Sequence, residues 1–265
     1  MTWVAAADYR RAKDDTPRSH PCQVYGKVEH LDDRIMIGAL ASGAAQARLS
    51  YIGARLAVRT ALSHLQRDGT ITDDALSDTT GERARALYLA MVDAIYSQLR
   101  RAVVDHVAPI QDFATTLTVF VANPTGVAAM QIGSGIIVSR RQNGDYSLLF
   151  SDTAQARNDG GGYITDRAEA DRMRVSVQDG PVAFLCAASA PLDRLSIRRR
   201  DGAPQKDFFR PLDRYASTAP DDVEVHRGIR TFLRSDRVHG RLDQDVAMAL
   251  CGYHRQGELF RPAIA

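Results

Sequence analysis

Ser42-Gly43-Ala44-Ala45-Gln46-Ala47 joins two segments of different periodicity, and its reading decides the fold. Before it, Arg34-Ile35-Met36-Ile37-Gly38-Ala39-Leu40-Ala41 is an apolar run of strand length, the pattern of a strand buried on both faces. After it, Ala47 to about Gln66 places Leu49, Ile52 and Leu56 three and four residues apart, which predicts a helix with one apolar face. A small polar residue followed by glycine suits the tight turn between them. Related turns recur at Ile132-Gly133-Ser134-Gly135, at Ala187-Ala188-Ser189-Ala190 and at Asp243-Gln244-Asp245-Val246-Ala247-Met248. Each of these three adjoins an apolar run. Pro21-Cys22-Gln23-Val24 is a fifth short segment of interest.

In order and surroundings these segments resemble the PPM, or PP2C-type, metal-dependent protein phosphatases. That family's patterns there are D-G-x-G-S, G-D-G, S-D-G and D-D/N-x-T/A before an apolar residue, with P-C-Q-D opening its bacterial branch. The aspartate positions hold Val24, Ser42, Ser134, Ser189 and Gln244 in this chain. Non-catalytic segments share the resemblance. Ala47 to Val58 is similar to the family's first helix, Phe113-Ala114-Thr115-Thr116-Leu117 to the strand before G-D-G, and Asn158 with Gly160 to Asp166 to a flap-proximal segment. The likeness runs from about Cys22 to Leu250. It implies an α+β fold, a four-layer α-β-β-α sandwich, as a single domain over residues 1–265.

In the family, aspartates at one end of the sandwich hold a pair of Mg²⁺ or Mn²⁺ ions, and a metal-bridging water attacks phosphorus. Such hard cations need anionic oxygen ligands. Serine offers a neutral hydroxyl, glutamine a neutral carbonyl and valine nothing. The resemblance with its substitutions therefore implies a protein that is not an enzyme and uses no metal or other cofactor: a pseudophosphatase serving as a protein-binding or regulatory module. Gly43, Gly133, Gly135 and Asp245 keep the neighbouring motif positions. The alternative is a divergent metal-dependent serine/threonine phosphatase with a rebuilt metal site. A third reading is phosphopeptide or nucleotide binding in the vacated cleft without turnover. Bacterial relatives imply a protein kinase or a von Willebrand A-domain protein as partner, in a kinase-linked signalling system.

The remaining acids give no obvious replacement set. Asp32-Asp33 precede the first core strand, and strand alternation predicts that Asp245 faces away from Gln244. The seven histidines lack H-x-x-x-H spacing. Gly133-Ser134-Gly135 is not a nucleophile elbow, and Asp159-Gly160-Gly161-Gly162 lacks the G-K-[ST] of a P-loop. Arg18 stands where relatives carry a phosphate-binding arginine; its ordinary reading is an exposed side chain.

A net charge of +2 is too small to argue for a nucleic-acid partner, and none is expected. The three cysteines are far apart and odd in number, favouring reduced thiols. With no basic leader and no apolar run of spanning length, the sequence predicts no membrane association and a cytoplasmic location. Leu87, Met91, Ile95, Leu99 and Val103 predict a second helix over Arg85–Val107. Strands are predicted over 115–122, 127–133, 136–138, 146–150, 182–186 and 246–251, and an amphipathic helix over Asp222–Arg237. Four breakers, Gly202, Pro204, Pro211 and Pro220, leave Leu195–Pro220 without a predicted regular element.

Overall fold

The computed structural model describes residues 2–12, 21–67, 71, 78, 80–142, 144–150 and 162–254. Arg18, Asn143 and residues 158–161 lie outside this set. Among the described residues ten strands form two sheets. One has the order β1 (Thr2–Arg10), β10 (Val246–His254), β9 (Val182–Ala188), β6 (Ile136–Arg141) and β7 (Tyr146–Leu148). The other has the order β2 (Val24–His30), β3 (Met36–Ser42), β4 (Leu117–Asn123), β5 (Gly126–Ile132) and β8 (Arg174–Asp179). Neighbouring strands are antiparallel throughout.

The strands alternate between two cores, which explains their continuous apolar sequences. In β3, Ile37, Ala39 and Ala41 face helices α1 (Ser50–Arg67) and α2 (Glu82–His106), whereas Met36 and Leu40 pack between the sheets. β10 does the same on the other side. Its Met248 and Leu250 meet helices α5 (Lys206–Thr218) and α6 (Asp222–Arg234), while Ala247, Ala249 and Cys251 face the inter-sheet core. Phe120, Ile137 and Leu185 are fully buried in that core. Each such side chain contributes about 1.5–3 kcal/mol of burial. The layers are α-β-β-α, as the resemblance implies. Short helices α3 (Ala168–Asp171), α4 (Asp193–Ser196) and α7 (Asp236–His239) complete the α-helices among the described residues, beside 3-10 turns at Ile110–Phe113 and Ala190–Leu192.

Several segments depart from the sequence reading, among them β2 and β8, for which no strand was predicted. β1 was not predicted, because Ala5-Ala6-Ala7 carries no strand preference; its pairing with β10, from Thr2–His254 to Arg10–Val246, supplies the order. The region around Pro211 contains helix α5. Its Phe208, Leu212 and Ala216 recur every four residues and are buried against the sheet. Pro211 has no N–H for the Asp207 carbonyl, which instead accepts from Arg237 Nη2 at 3.5 Å. The helix predicted over 222–237 divides at Ser235, whose hydroxyl donates to the Phe232 carbonyl at 2.6 Å. Asp221 caps the start of α6 by accepting from the Glu224 amide at 2.8 Å. No described helix is long and apolar enough to cross a membrane.

Candidate functional site

Register brings the ends of separate strands to one edge of the sandwich. Val24 pairs with Ser42, Leu117 with Ile132, and Ala188 with Met248, so the turns that follow or precede these residues meet. They surround a cleft of about 470 Å³. Val24, Ser42, Ser134 and Gln244 all line it. Val24 is 5% exposed and also belongs to the inter-sheet core. The Ser42 amide donates to Thr116 Oγ1 at 3.2 Å, and the Thr116 amide donates back to the Ser42 carbonyl at 2.9 Å.

The structure places Ser189 elsewhere. It is buried, and its hydroxyl accepts from the Ala247 amide at 2.9 Å while its own amide donates to the Ala247 carbonyl at 3.0 Å. The next residue, Ala190, lines the cleft instead. Ser189 follows the end of β9 and Ala190 opens a single 3-10 turn, Ala190–Leu192, so the chain changes direction between the two.

Glycines hold the turns. Gly133 has φ 80°, and a Cβ there would lie 2.5 Å from the Gly162 carbonyl oxygen; Gly135 also has positive φ. Gly43 approaches Ser50 so closely that a Cβ would stand 2.6 Å from the serine Cβ.

Asp245 corrects an expectation. It lines the cleft together with Gln244, because both precede β10 and strand alternation does not govern them. Its Oδ1 accepts from the Ala12 amide at 2.7 Å and its Oδ2 from the Gln23 amide at 2.6 Å. Asp32 is at the opposite end of β3, where Oδ1 accepts from the amides of Arg34 and Ile35. Behind the cleft, buried Arg10 sets Nη1 2.8 Å from His239 Nδ1 and donates from Nη2 to the Leu242 carbonyl at 3.3 Å. Burial lowers its pKa, against the opposing field of Asp245 and Cys22. Burial pushes the Cys22 thiol up to about 12, so it is not a nucleophile at neutral pH.

Sequence reading missed Arg11, Asp193 and Arg194, which also line the cleft with Asp243. The signal available was position: Asp193 and Arg194 open α4 immediately after the Ser189 turn. The cleft thus combines cations suited to a phosphate with acids on its wall. At the five substituted positions, however, there are only hydroxyls, one amide and an alkyl group. Among the described residues no three His, Cys, Asp or Glu side chains gather as a metal-holding group. This donor set does not fit a pair of hard divalent cations.

A sequence model of the family Protein phosphatase 2C matches residues 15–234. No curated protein matches the chain significantly. Solved structures are similar in fold across nearly their whole length. The serine/threonine phosphatase Stp1 from Staphylococcus aureus has a TM-score of 0.62 at 9% identity, covering 96% of this chain and 96% of that one. Mycobacterium tuberculosis PstP/Ppp has a TM-score of 0.61 at 16% identity, covering 96% and 100%. The catalytic domain of PstP in complex with two manganese ions has a TM-score of 0.58 at 17% identity, covering 95% and 99%.

Two expectations drawn from the missing aspartates are corrected by these findings. A phosphatase family spanning most of the chain overturns the reading that the protein is not an enzyme. The expectation of no cofactor conflicts with the same membership, since one matched structure is a complex with manganese. With its motif order, its layered sheets and the match over residues 15–234, the chain belongs to the Protein phosphatase 2C family.

Proposed function

We propose that the chain is a divergent serine/threonine protein phosphatase that receives a phosphorylated protein segment in the edge cleft. The observation that carries this reading is the family match over residues 15–234, together with a cleft into which the corresponding turns converge. Arg11 and Arg194 are the cleft's cations and would draw in and orient a phosphate dianion. Asp193 and Asp243 add carboxylates to the cleft wall in the role of general acid and base, and Asp245 holds the surrounding backbone. A cytoplasmic location and a protein kinase or von Willebrand A-domain partner belong to the same proposal; co-purification with each partner checks the latter.

Hydrolysis of a phosphothreonine peptide, followed by phosphate release in parallel buffers with and without Mn²⁺, tests the activity. Wild-type protein should turn over, and the D193N/D243N double variant should lose roughly 100-fold. Equal release by wild type and double variant would mean that a contaminant does the work and would end the proposal.

A further inference from the structure

The outer surface of α1 and α2 carries a second depression of about 600 Å³, away from the cleft. Its α1 side is basic. Arg55, Arg59, His64 and Arg67 border it, and α1 contains no Asp or Glu. Arg55 and Arg59 are four residues apart on one helix face, where like charges repel. Among the described residues neither has a carboxylate partner, and the nearby acids are engaged: Glu29 by Lys27 and Gln66, Asp93 by Arg167. Arg55 lies 5.7 Å from the centroid of the Tyr25 ring, which limits its rotamers. Tyr51, Ile52 and Leu56 add apolar and aromatic surface to the same groove.

We propose that this groove binds an extended acidic segment of a partner protein. Spacing identifies the ligand's form. Along the helix axis Arg55 and Arg59 are about 6 Å apart and Arg67 lies about 12 Å further on. In an extended peptide, residues two apart are separated by about 6.6 Å and residues four apart by about 13 Å. Carboxylates spaced by two and then four residues therefore match the axial spacing of the three arginine positions in turn. The uncompensated charge supplies attraction, and the apolar wall gives the peptide backbone a surface to lie on. This site is independent of the cleft and of the activity proposed for it.

Fluorescence anisotropy tests the inference with a labelled Ser/Gly peptide carrying Glu at its third, fifth and ninth positions. Gln replaces Glu in the control peptide. At low ionic strength the acidic peptide should bind and the Gln peptide should not. R55E/R59E should weaken binding by about tenfold. R199E/R200E changes net charge equally at an exposed turn and should leave binding intact. Should circular dichroism show R55E/R59E unfolded, R55Q/R59Q provides the reading, with a loss of about threefold expected. No binding by wild type, equal weakening by both charge reversals, or binding to phosphatidylserine vesicles without peptide binding would overturn the assignment.

Discussion

The amide of Gln23 donates to one carboxylate oxygen of Asp245 at 2.6 Å, and the Ala12 amide donates to the other at 2.7 Å. One side chain thus joins the chain leaving β1, the approach to β2 and the approach to β10. Asp245 lines the cleft as an anion whose oxygens already serve the backbone. A bond from an N–H to a carboxylate is stronger than one between neutral groups.

Replacing Asp245 with Ala should therefore destabilise the protein by about 2–4 kcal/mol, because two amides lose a charged acceptor. Asn keeps one amide oxygen and should cost about half as much. Urea unfolding monitored by Trp3 fluorescence measures both. A loss below about 0.5 kcal/mol for the Ala variant would show that the two bonds contribute little.

Ser189 and Ala190 should respond oppositely to aspartate. Ser189→Asp buries a charge and disturbs the bond to the Ala247 amide, so it should cost about 3 kcal/mol or more. Ala190→Asp projects into the cleft and should cost less than about 1 kcal/mol. Thermal unfolding of the two variants decides it. Similar losses in both would contradict the orientation described for this turn.

His30 and Asp222 form an ion pair at 3.0 Å, with Asp222 also accepting from the Ala5 amide of edge strand β1 at 2.8 Å. The hydrogen bond to Asp222 raises the His30 pKa, against the lowering effect of burial. For Asp222, burial pushes upward, but the His30 and Ala5 bonds outweigh it and the pKa falls. The His30 contribution is therefore complete below about pH 6.5 and fades as pH rises through the raised folded value. The Asp222 contribution is present above about pH 3.9 and fades as pH falls through its lowered value. Both side chains are partly solvated, so the histidine's share should be about 0.5 kcal/mol or less. Denaturant midpoints between pH 6 and pH 8 should fall more for wild type than for His30→Gln. Parallel curves would sink the assignment.

Much of the layered architecture was legible because strands covered on both faces must be apolar at successive positions, as in β3 and β10. Helices α1 and α2 announced themselves by spacings of three and four. β2 was harder to read, since Gly26, Lys27 and Glu29 interrupt its apolar pattern. Helix α5 was hidden by Pro211: local propensity opposed it, while the burial of Phe208, Phe209 and Leu212 enforced it. In the site, the turns carrying Val24, Ser42, Ser134 and Gln244 could be found from their motifs. Arg11, Asp193 and Arg194 could not, because no motif marks them and they meet the cleft only through the packing of β1 and α4.

The sequence by itself determined the order of the turns, the alternating apolar strands and the replacement of carboxylates at the family positions. These are properties of residue identity and spacing along one chain. Only the tertiary structure decided that Ala190 rather than Ser189 opens to the cleft, that Asp245 is held by Ala12 and Gln23, and that the arginines of α1 border a groove. Each depends on the direction of a side chain relative to partners distant in sequence, and that direction is set by sheet register and helix packing.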